Sequence, residues 1–486
     1  MSFRRAKIVC TLGPASDSDL VIERLMRAGM DVARLNFSHG TYAEHARTIA
    51  RVREASFRLA KPIAILADLQ GPKIRTGPLA GGRPVQLCTG QRFTIFAHMG
   101  PGTSAGVGTT YKRLPREVSR GDRILLGDGL IGLRVLSTTS DAVVCEVVNG
   151  GELGEHKGIN LPGVQLRIPA VTARDRADLA FALRHGANYV AVSFVRRPAD
   201  VLLAKAAIAR SRRRVPVIAK LEKPEAIENL DSILAVTDGV MVARGDLGVE
   251  MSPEKVPVVQ KHIIARACEA RLPVITATQM LESMTHNPRP TRAEASDVAN
   301  AVFDGSDALM LSAETASGAY PVETVQMMDR IIREAEASVT NVLRPHPAQF
   351  NIAETSSELI CHASEELHMK VIAVFTQEGS TARLVSKHRP LRPIIAFSPL
   401  QETRRRLALY WGVMPRTISG VHDMEDLVKV TERRLLEERL VSRGDVVGIV
   451  AGTPFSVGGT TNFMKFHVIG NPGNRRKKAA AKKRGK

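Results

Sequence analysis

Short runs of apolar residues recur along the first two thirds of the chain, and between most of them the apolar positions return every three or four residues. A strand covered on both faces reads as a continuous apolar run, whereas a helix lying against it needs only one apolar stripe. The runs fall at about 7–11, 30–34, 63–68, 189–193, 217–221, 239–242, 274–277 and 308–311, with helix-period segments such as 20–28, 174–185, 255–270 and 293–303 between them. Eight strands alternating with helices predict an α/β fold, a (β/α)8 TIM barrel.

The third interval is far too long for one crossover. It carries alternating stretches rich in Gly, Thr and Val at 92–97, 123–126, 131–135 and 143–148, which predict a small β-barrel lid domain inserted at 70–167. The barrel is then 1–69 with 168–338. Segment 339–350 contains Pro345 and Pro347 and breaks the helical pattern; beyond it, apolar runs at 371–375, 393–397 and 446–450 alternate with helices such as 423–439. That pattern predicts a C-terminal open α/β domain over 339–472, with 473–486 as a disordered basic tail.

At 486 residues the chain is too long for one core, and 44% apolar content is ample for two or three. No stretch has the apolar length a membrane helix needs, and Met1-Ser2-Phe3-Arg4-Arg5 leads into the first strand without an apolar signal core, so neither export nor anchoring is expected. Cys10, Cys88, Cys145, Cys268 and Cys361 are odd in number and in no metal-ligand spacing, so they read as thiols of a cytoplasmic protein. The net charge of +19 suggests nucleic acid, but eight of those charges lie in 473–486, leaving +11 elsewhere. Aromatics are only 4% and do not interleave with the basic residues, so a stacking platform is missing and no specific nucleic-acid partner is expected. Weak polyanion binding by the tail would vanish on truncation. The remaining excess suits an enzyme whose ligands are phosphates.

Barrels present their chemistry at the C-terminal ends of the strands, where this chain places Arg34, Asp68, Lys220, Glu222, Asp246, Thr278 and Ser312. The fifth run continues as Ile218-Ala219-Lys220-Leu221-Glu222-Lys223-Pro224 and is followed, after one short helix and one short strand, by Met241-Val242-Ala243-Arg244-Gly245-Asp246-Leu247-Gly248. Glu222 and Asp246 could converge on one hard cation with Lys220 beside it, the equipment of metal-assisted phosphoryl transfer. Taken singly, each acid could instead cap the next helix and the lysine could be a solvated partner. No Walker loop, protein-kinase loop or dinucleotide Gly fingerprint occurs, so nucleotide binding would rest on the barrel rim and the lid.

Arg34-Leu35-Asn36-Phe37-Ser38-His39-Gly40, Ala277-Thr278-Gln279-Met280-Leu281-Glu282-Ser283-Met284 and Pro288-Arg289-Pro290-Thr291-Arg292-Ala293-Glu294 occur in the order and with the separations found in pyruvate kinases. The chain resembles that family from about Lys7 to Ile469. The resemblance implies phosphoryl transfer from phosphoenolpyruvate to ADP, giving ATP and, after ketonisation, pyruvate, in a cytoplasmic homotetramer at the last step of glycolysis. It implies that Glu222 and Asp246 ligate Mg²⁺ or Mn²⁺, that Lys220 stabilises the transferring group, and that Arg34 is the second cation on it. The backbone around Gly245 and Asp246 would meet the substrate carboxylate, and Thr278 would stand near the enol carbon that gains a proton, relayed by water because a hydroxyl is a weak acid. Arg75, Asn36 and His39 are the implied nucleotide contacts, although His39 reads equally well as a packing histidine. Ser312 and Glu314 would support the site from the eighth strand or simply cap a helix.

Two family motifs depart from the usual pattern. Many pyruvate kinases hold K⁺ with groups matching Asn36, Ser38, Asp68 and the carbonyl of Leu69, and such members usually carry Glu at the position of Lys73. A fixed ammonium there could supply the charge that K⁺ brings, so K⁺ is not expected to be required; the alternative has Lys73 pointing to solvent at the lid hinge. Thr376-Gln377-Glu378-Gly379-Ser380-Thr381-Ala382 resembles the loop that holds a phosphate of an allosteric effector. Glu378 stands where serine is common, and a carboxylate pointing into the pocket would repel phosphate even though Thr376, Ser380 and Thr381 remain. The competing enzymatic reading is a Mg²⁺-dependent carbon–carbon lyase of the pyruvate or phosphoenolpyruvate class, against which the insertion and the extra domain weigh.

Overall fold

In the computed structural model, which describes residues 3–338, 351–453 and 460–470, the eight expected strands close into one parallel barrel. They are β1 (Lys7–Thr11), β2 (Val32–Asn36), β3 (Ala64–Asp68), β4 (Tyr189–Val192), β5 (Val217–Leu221), β6 (Gly239–Ala243), β7 (Val274–Ala277) and β8 (Ala308–Leu311). They follow chain order around the ring until β8 returns to β1, where Lys7 meets Ala308. Every residue of β1, β3, β5 and β6 is buried, as packing against the ring interior on one face and helices on the other demands. Val9, Leu66, Tyr189, Ile218, Met241 and Met310 help fill the ring. β2 starts later than its apolar run suggests because Gly29, at φ 136°, turns the chain out of helix Asp19–Ala28, and Asp31 accepts the Ile8 amide rather than joining the strand. Two short helices, Pro224–Glu228 and Leu230–Leu234, replace the single one expected between β5 and β6.

Between β3 and β4 the chain leaves the barrel and builds the expected β insertion. Its six-stranded sheet has the order Ile159–Asn160, Arg123–Leu126, Ile131–Thr138, Ala142–Asn149, Arg92–Phe96, Gly106–Gly108, and Val85–Leu87 pairs separately with Gly151–Leu153. Phe93, Ile124, Leu133 and Val147 belong to a core of its own.

The C-terminal sheet comprises β9 (Ile372–Phe375), β10 (Ile394–Ser398), β11 (Val413–Thr417), β12 (Val446–Ala451) and β13 (Phe463–Val468), in the order β11-β10-β9-β12-β13 with only β13 antiparallel. β11 and β13 escape the apolar-run criterion because they are edge strands, one holding Pro415 and Arg416, the other Lys465 and His467. The domain seats on the N-terminal ends of the barrel strands: the Tyr189 hydroxyl donates to the Arg406 carbonyl at 2.9 Å and Lys7 Nζ to the Val413 carbonyl at 2.8 Å. Among the described residues no helix is long and apolar enough to cross a membrane. The expected helix break at 339–350 and the tail at 473–486 lie outside the described residues.

Candidate active site

Lys220 lies near the end of β5, 9% exposed, and three strands converge on its ammonium. Nζ is 2.8 Å from Glu222 Oε1, donates to Ser193 Oγ at 2.8 Å, and is 3.4 Å from Asp68 Oδ1. Burial alone would pull its pKa down, but Asp68, Glu222 and Asp246 overcome that and hold it above the ordinary lysine value. The ammonium is therefore a fixed charge. Burial also raises the Glu222 carboxyl, against the pull of Lys220, while its Oε2 accepts the Phe194 amide at 2.6 Å. Glu222 Oε1 accepts no aligned hydrogen bond, although the ammonium stands at ion-pair distance.

The register of β2 on β3 sets Arg34 opposite Leu66, two residues before Asp68, and the guanidinium reaches that acid: Nε and Nη2 are each 2.7 Å from Asp68 Oδ2, and Nη1 donates to Thr11 Oγ1 at 2.9 Å. Burial pushes Asp68 up, yet Lys220 and Arg34 together bring it below the usual carboxylate range. The turn after β3 needs glycine at Gly71, whose φ is 69° and where an added Cβ would lie 2.9 Å from Ser193 Cβ.

Helix Arg244–Glu250 begins directly after β6 and carries Asp246 in its first turn. The Gly245 amide donates to Thr278 Oγ1 at 2.8 Å. Thr278 and Gln279 have φ of 71° and 54°, a conformation that a β-branched residue keeps only when its surroundings fix it. Arg244 fixes it: Nη2 donates to the Thr278 carbonyl at 2.6 Å, Nε to the Ala277 carbonyl at 3.3 Å, and Nη1 meets Asp297 at 2.7 Å. From β8, Glu314 is buried and accepts the amides of Ser312 at 2.6 Å and Leu281 at 3.2 Å, so it ties the last two loops of the mouth together.

A cavity of about 380 Å³ opens between the mouth and the insertion, lined by Lys73, Arg75, His156, Lys223, Asp246 and Glu250 among others. Lys73 is exposed, yet it helps to depress the exposed His39 imidazole, behind burial and ahead of Arg75. Asn36 Oδ1 accepts the Ser38 amide at 3.1 Å, and the Leu69 carbonyl accepts the Ser193 hydroxyl at 2.7 Å. The insertion touches the barrel here, since Asn160 Nδ2 and Lys223 Nζ both donate to Glu250 Oε1, at 2.8 and 2.6 Å.

Ser193, Arg244 and Asp297 are contributors that their residue types did not announce. Ser193 is a strand-end hydroxyl and Asp297 a helical acid like many others; only Arg244 stood inside a motif. The effector-like loop lies away from this site. Glu378 pairs with Arg214 of the barrel at 3.1 Å, which corrects the expectation of a carboxylate aimed into the turn. Thr376 Oγ1 accepts the Gly379 amide at 2.9 Å, and Thr381 and Thr461 share a hydroxyl contact of 2.9 Å.

The model of the pyruvate kinase barrel domain matches residues 3–325, and that of the pyruvate kinase alpha/beta domain matches 354–467. A pyruvate kinase of Mycobacterium tuberculosis is 48% identical over 96% of this chain and 99% of its own length, and one of Staphylococcus saprophyticus is 45% identical over 96% of this chain and 81% of its own. A solved structure, a pyruvate kinase from Cryptosporidium parvum, superimposes with a TM-score of 0.90 at 38% identity, covering 96% of each chain. These matches do not favour the lyase reading. Through its barrel, its α/β domain and its near-complete overlap with these relatives, the chain belongs to the pyruvate kinase family and is a phosphotransferase of that type.

Proposed function

We propose that Lys220, Arg34, Glu222, Asp246 and Thr278 carry phosphoryl transfer from phosphoenolpyruvate to ADP and the protonation of enolpyruvate that follows. The observation that carries this is the buried ammonium of Lys220, kept charged by Asp68 and Glu222. A transferring phosphoryl group spreads negative charge over its oxygens, and a cation held in place before the reaction stabilises that charge without reorganisation. Arg34 adds a second. The family uses Mg²⁺, and one Mg²⁺ or Mn²⁺ fits Glu222 and Asp246: two carboxylates suffice for an ion that keeps several waters, and Glu222 Oε1 lacks an aligned donor. Bound there, the ion would supply charge neutralisation for the substrate's oxygens. The Gly245 amide now engages Thr278; a substrate carboxylate taking that amide would release the Thr278 hydroxyl to orient the water that protonates the enol carbon.

Arg75, which lines the cavity, would contact ADP together with Asn36 and His39, and Lys73, lining the same space, would stand in for K⁺ at the group of Asn36, Ser38, Asp68 and Leu69. The independent sheets support the division into 1–69 with 168–338, 70–167 and 339–472. Five cysteines, odd in number and in no metal-ligand spacing, support a cytoplasmic setting. A homotetramer and a phosphorylated effector at Thr376, Ser380 and Thr381 complete the reading, with Glu378 engaged by Arg214 instead of opposing phosphate. Lys220→Met tests it: ADP-dependent pyruvate formation is expected to lose on the order of 10²–10³-fold in kcat with little change in metal-dependent substrate binding. A near-normal kcat would remove Lys220 from the chemistry.

A further inference from the structure

The β insertion leaves the barrel after β3 and returns to it through 161–170, and the loop that follows β4 touches both connections. On the outgoing side the Ser193 hydroxyl donates to the Leu69 carbonyl at 2.7 Å, and Gly71 lies so close to Phe194 that an added Cβ would stand 2.9 Å from its ring. On the returning side Arg196 spreads its fork over two backbone carbonyls, Nη1 donating to Leu166 and Nη2 to Ile168, each at 2.6 Å. The same loop reaches the reacting groups. Ser193 Oγ accepts from Lys220 Nζ at 2.8 Å, and the Phe194 amide donates to Glu222 Oε2 at 2.6 Å. Phe194 has a φ of 56°, a conformation that a bulky residue keeps only when its surroundings fix it.

The returning segment 164–169 has no regular secondary structure, so its backbone groups need partners from elsewhere. Ile168 precedes Pro169, which favours an extended backbone, and along an extended chain the carbonyls of Leu166 and Ile168 fall on one side. A planar guanidinium matches two such carbonyls; a point ammonium does not. On the insertion side the Arg167 amide donates to Glu117 Oε2 at 3.2 Å, an oxygen that also accepts the Tyr111 hydroxyl at 2.7 Å. The segment is thus held to the barrel by two charge-assisted bonds and to the insertion by one longer bond. Arg196 is itself fixed, for its amide donates to Asp200 Oδ2 at 3.0 Å and its carbonyl accepts from Asn229 Nδ2 at 3.0 Å. We propose, resting on the assignment of Lys220 and Glu222 to the chemistry, that Arg196 is a positioning residue for phosphoryl transfer. It clamps the return connection, sets the pivot about which the insertion closes on the mouth, and through loop 193–196 ties that pivot to Lys220 and Glu222. Arg196, Leu166 and Ile168 line both the site cavity and a second space of about 910 Å³, which leaves the segment room to move once released.

Arg196→Lys keeps the charge and loses the fork. With phosphoenolpyruvate and ADP its kcat is expected to fall about tenfold or more with little change in the KM for phosphoenolpyruvate. Amide hydrogen exchange should quicken in 161–170 and stay unaltered in the insertion's own strands Arg92–Phe96 and Ala142–Asn149. Arg197→Lys, at the exposed neighbouring position, is expected to match the unmutated enzyme in both measurements. If Arg196→Lys does not fold, Glu117→Gln weakens the hold on the same segment from the insertion side and is expected to pair faster exchange in 161–170 with a lower kcat. An unchanged kcat, a lower kcat without faster exchange in 161–170, or an equal loss in Arg197→Lys would overturn the role of Arg196. Normal turnover in Lys220→Met would instead overturn the assignment beneath it.

Discussion

Asp297 holds Arg244 at 2.7 Å, and the same guanidinium donates at 2.6 Å to the carbonyl of Thr278, whose φ is 71°. An acid on helix Arg292–Phe303 thus sets the backbone of Thr278, the residue proposed to serve the protonation of the enol carbon. Displacement of about 1 Å at such a site costs up to 10²-fold in rate. Asp297→Asn is expected to lower kcat about tenfold or more with little change in the KM for phosphoenolpyruvate. Parallel losses in both parameters, or none, in steady-state kinetics would contradict a positioning role.

Ser193 donates to the Leu69 carbonyl and accepts from Lys220 Nζ, so Ser193→Ala leaves two buried partners short at once. A cost of about 1–3 kcal/mol in stability is expected, with kcat down about tenfold because the ammonium loses one of its fixed contacts. Thermal unfolding and turnover check the two parts separately. An unchanged kcat with a lowered melting temperature would confine Ser193 to holding the loops.

Lys73 lines the cavity, at the position where the resemblance implies Glu in K⁺-dependent members of the family. The unmutated enzyme is expected to keep full activity with Mg²⁺ when K⁺ is replaced by a bulky organic cation at constant ionic strength, and Lys73→Glu is expected to acquire a K⁺ requirement. Strong stimulation of the unmutated enzyme by K⁺ would sink the assignment.

Burial holds Lys7 down to about 8 from an ordinary 10.5. The folded chain releases this proton before the unfolded chain does, so between about pH 8 and 10.5 the unfolded state binds more protons and this group's cost to stability shrinks as pH rises. Lys7→Met removes the buried charge, and its stability relative to the unmutated protein should fall from pH 7 to pH 10 in urea titrations. A difference that stays constant across that range would show that Lys7 keeps its proton as readily folded as unfolded.

The barrel was legible because strands buried on both faces must be apolar throughout: 7–11, 217–221, 274–277 and 308–311 match the observed strands residue for residue. β11 and β13 were not, since an edge strand tolerates Pro415 or Lys465 and its partner lies far away in sequence. At the site, Lys220, Glu222 and Arg34 stand out as charges ending or following apolar strands. Ser193 and Asp297 act through register and helix packing, which leave no mark on residue type. The orientation of Glu378 depended on Arg214, a loop residue more than a hundred positions earlier.

The insertion between β3 and β4 also shapes how the ring can be assembled. Val32 pairs with Ala64 early in the chain, but Asp68 pairs with Ala191 across the whole insertion, and Lys7 pairs with Ala308 about 300 residues later. Closing a loop costs entropy only as the logarithm of its length, so the last seam is about 1 kcal/mol harder to close than the middle one. The larger effect is one of timing. During synthesis from the N-terminus, β1 to β3 emerge as a three-stranded sheet with both edges bare, and β1 waits for β8 through the synthesis of the insertion and four more barrel strands. The nascent chain therefore carries an open template for wrong pairing for most of its time on the ribosome, and the early, self-contained core of the insertion is its first protection on the β3 side.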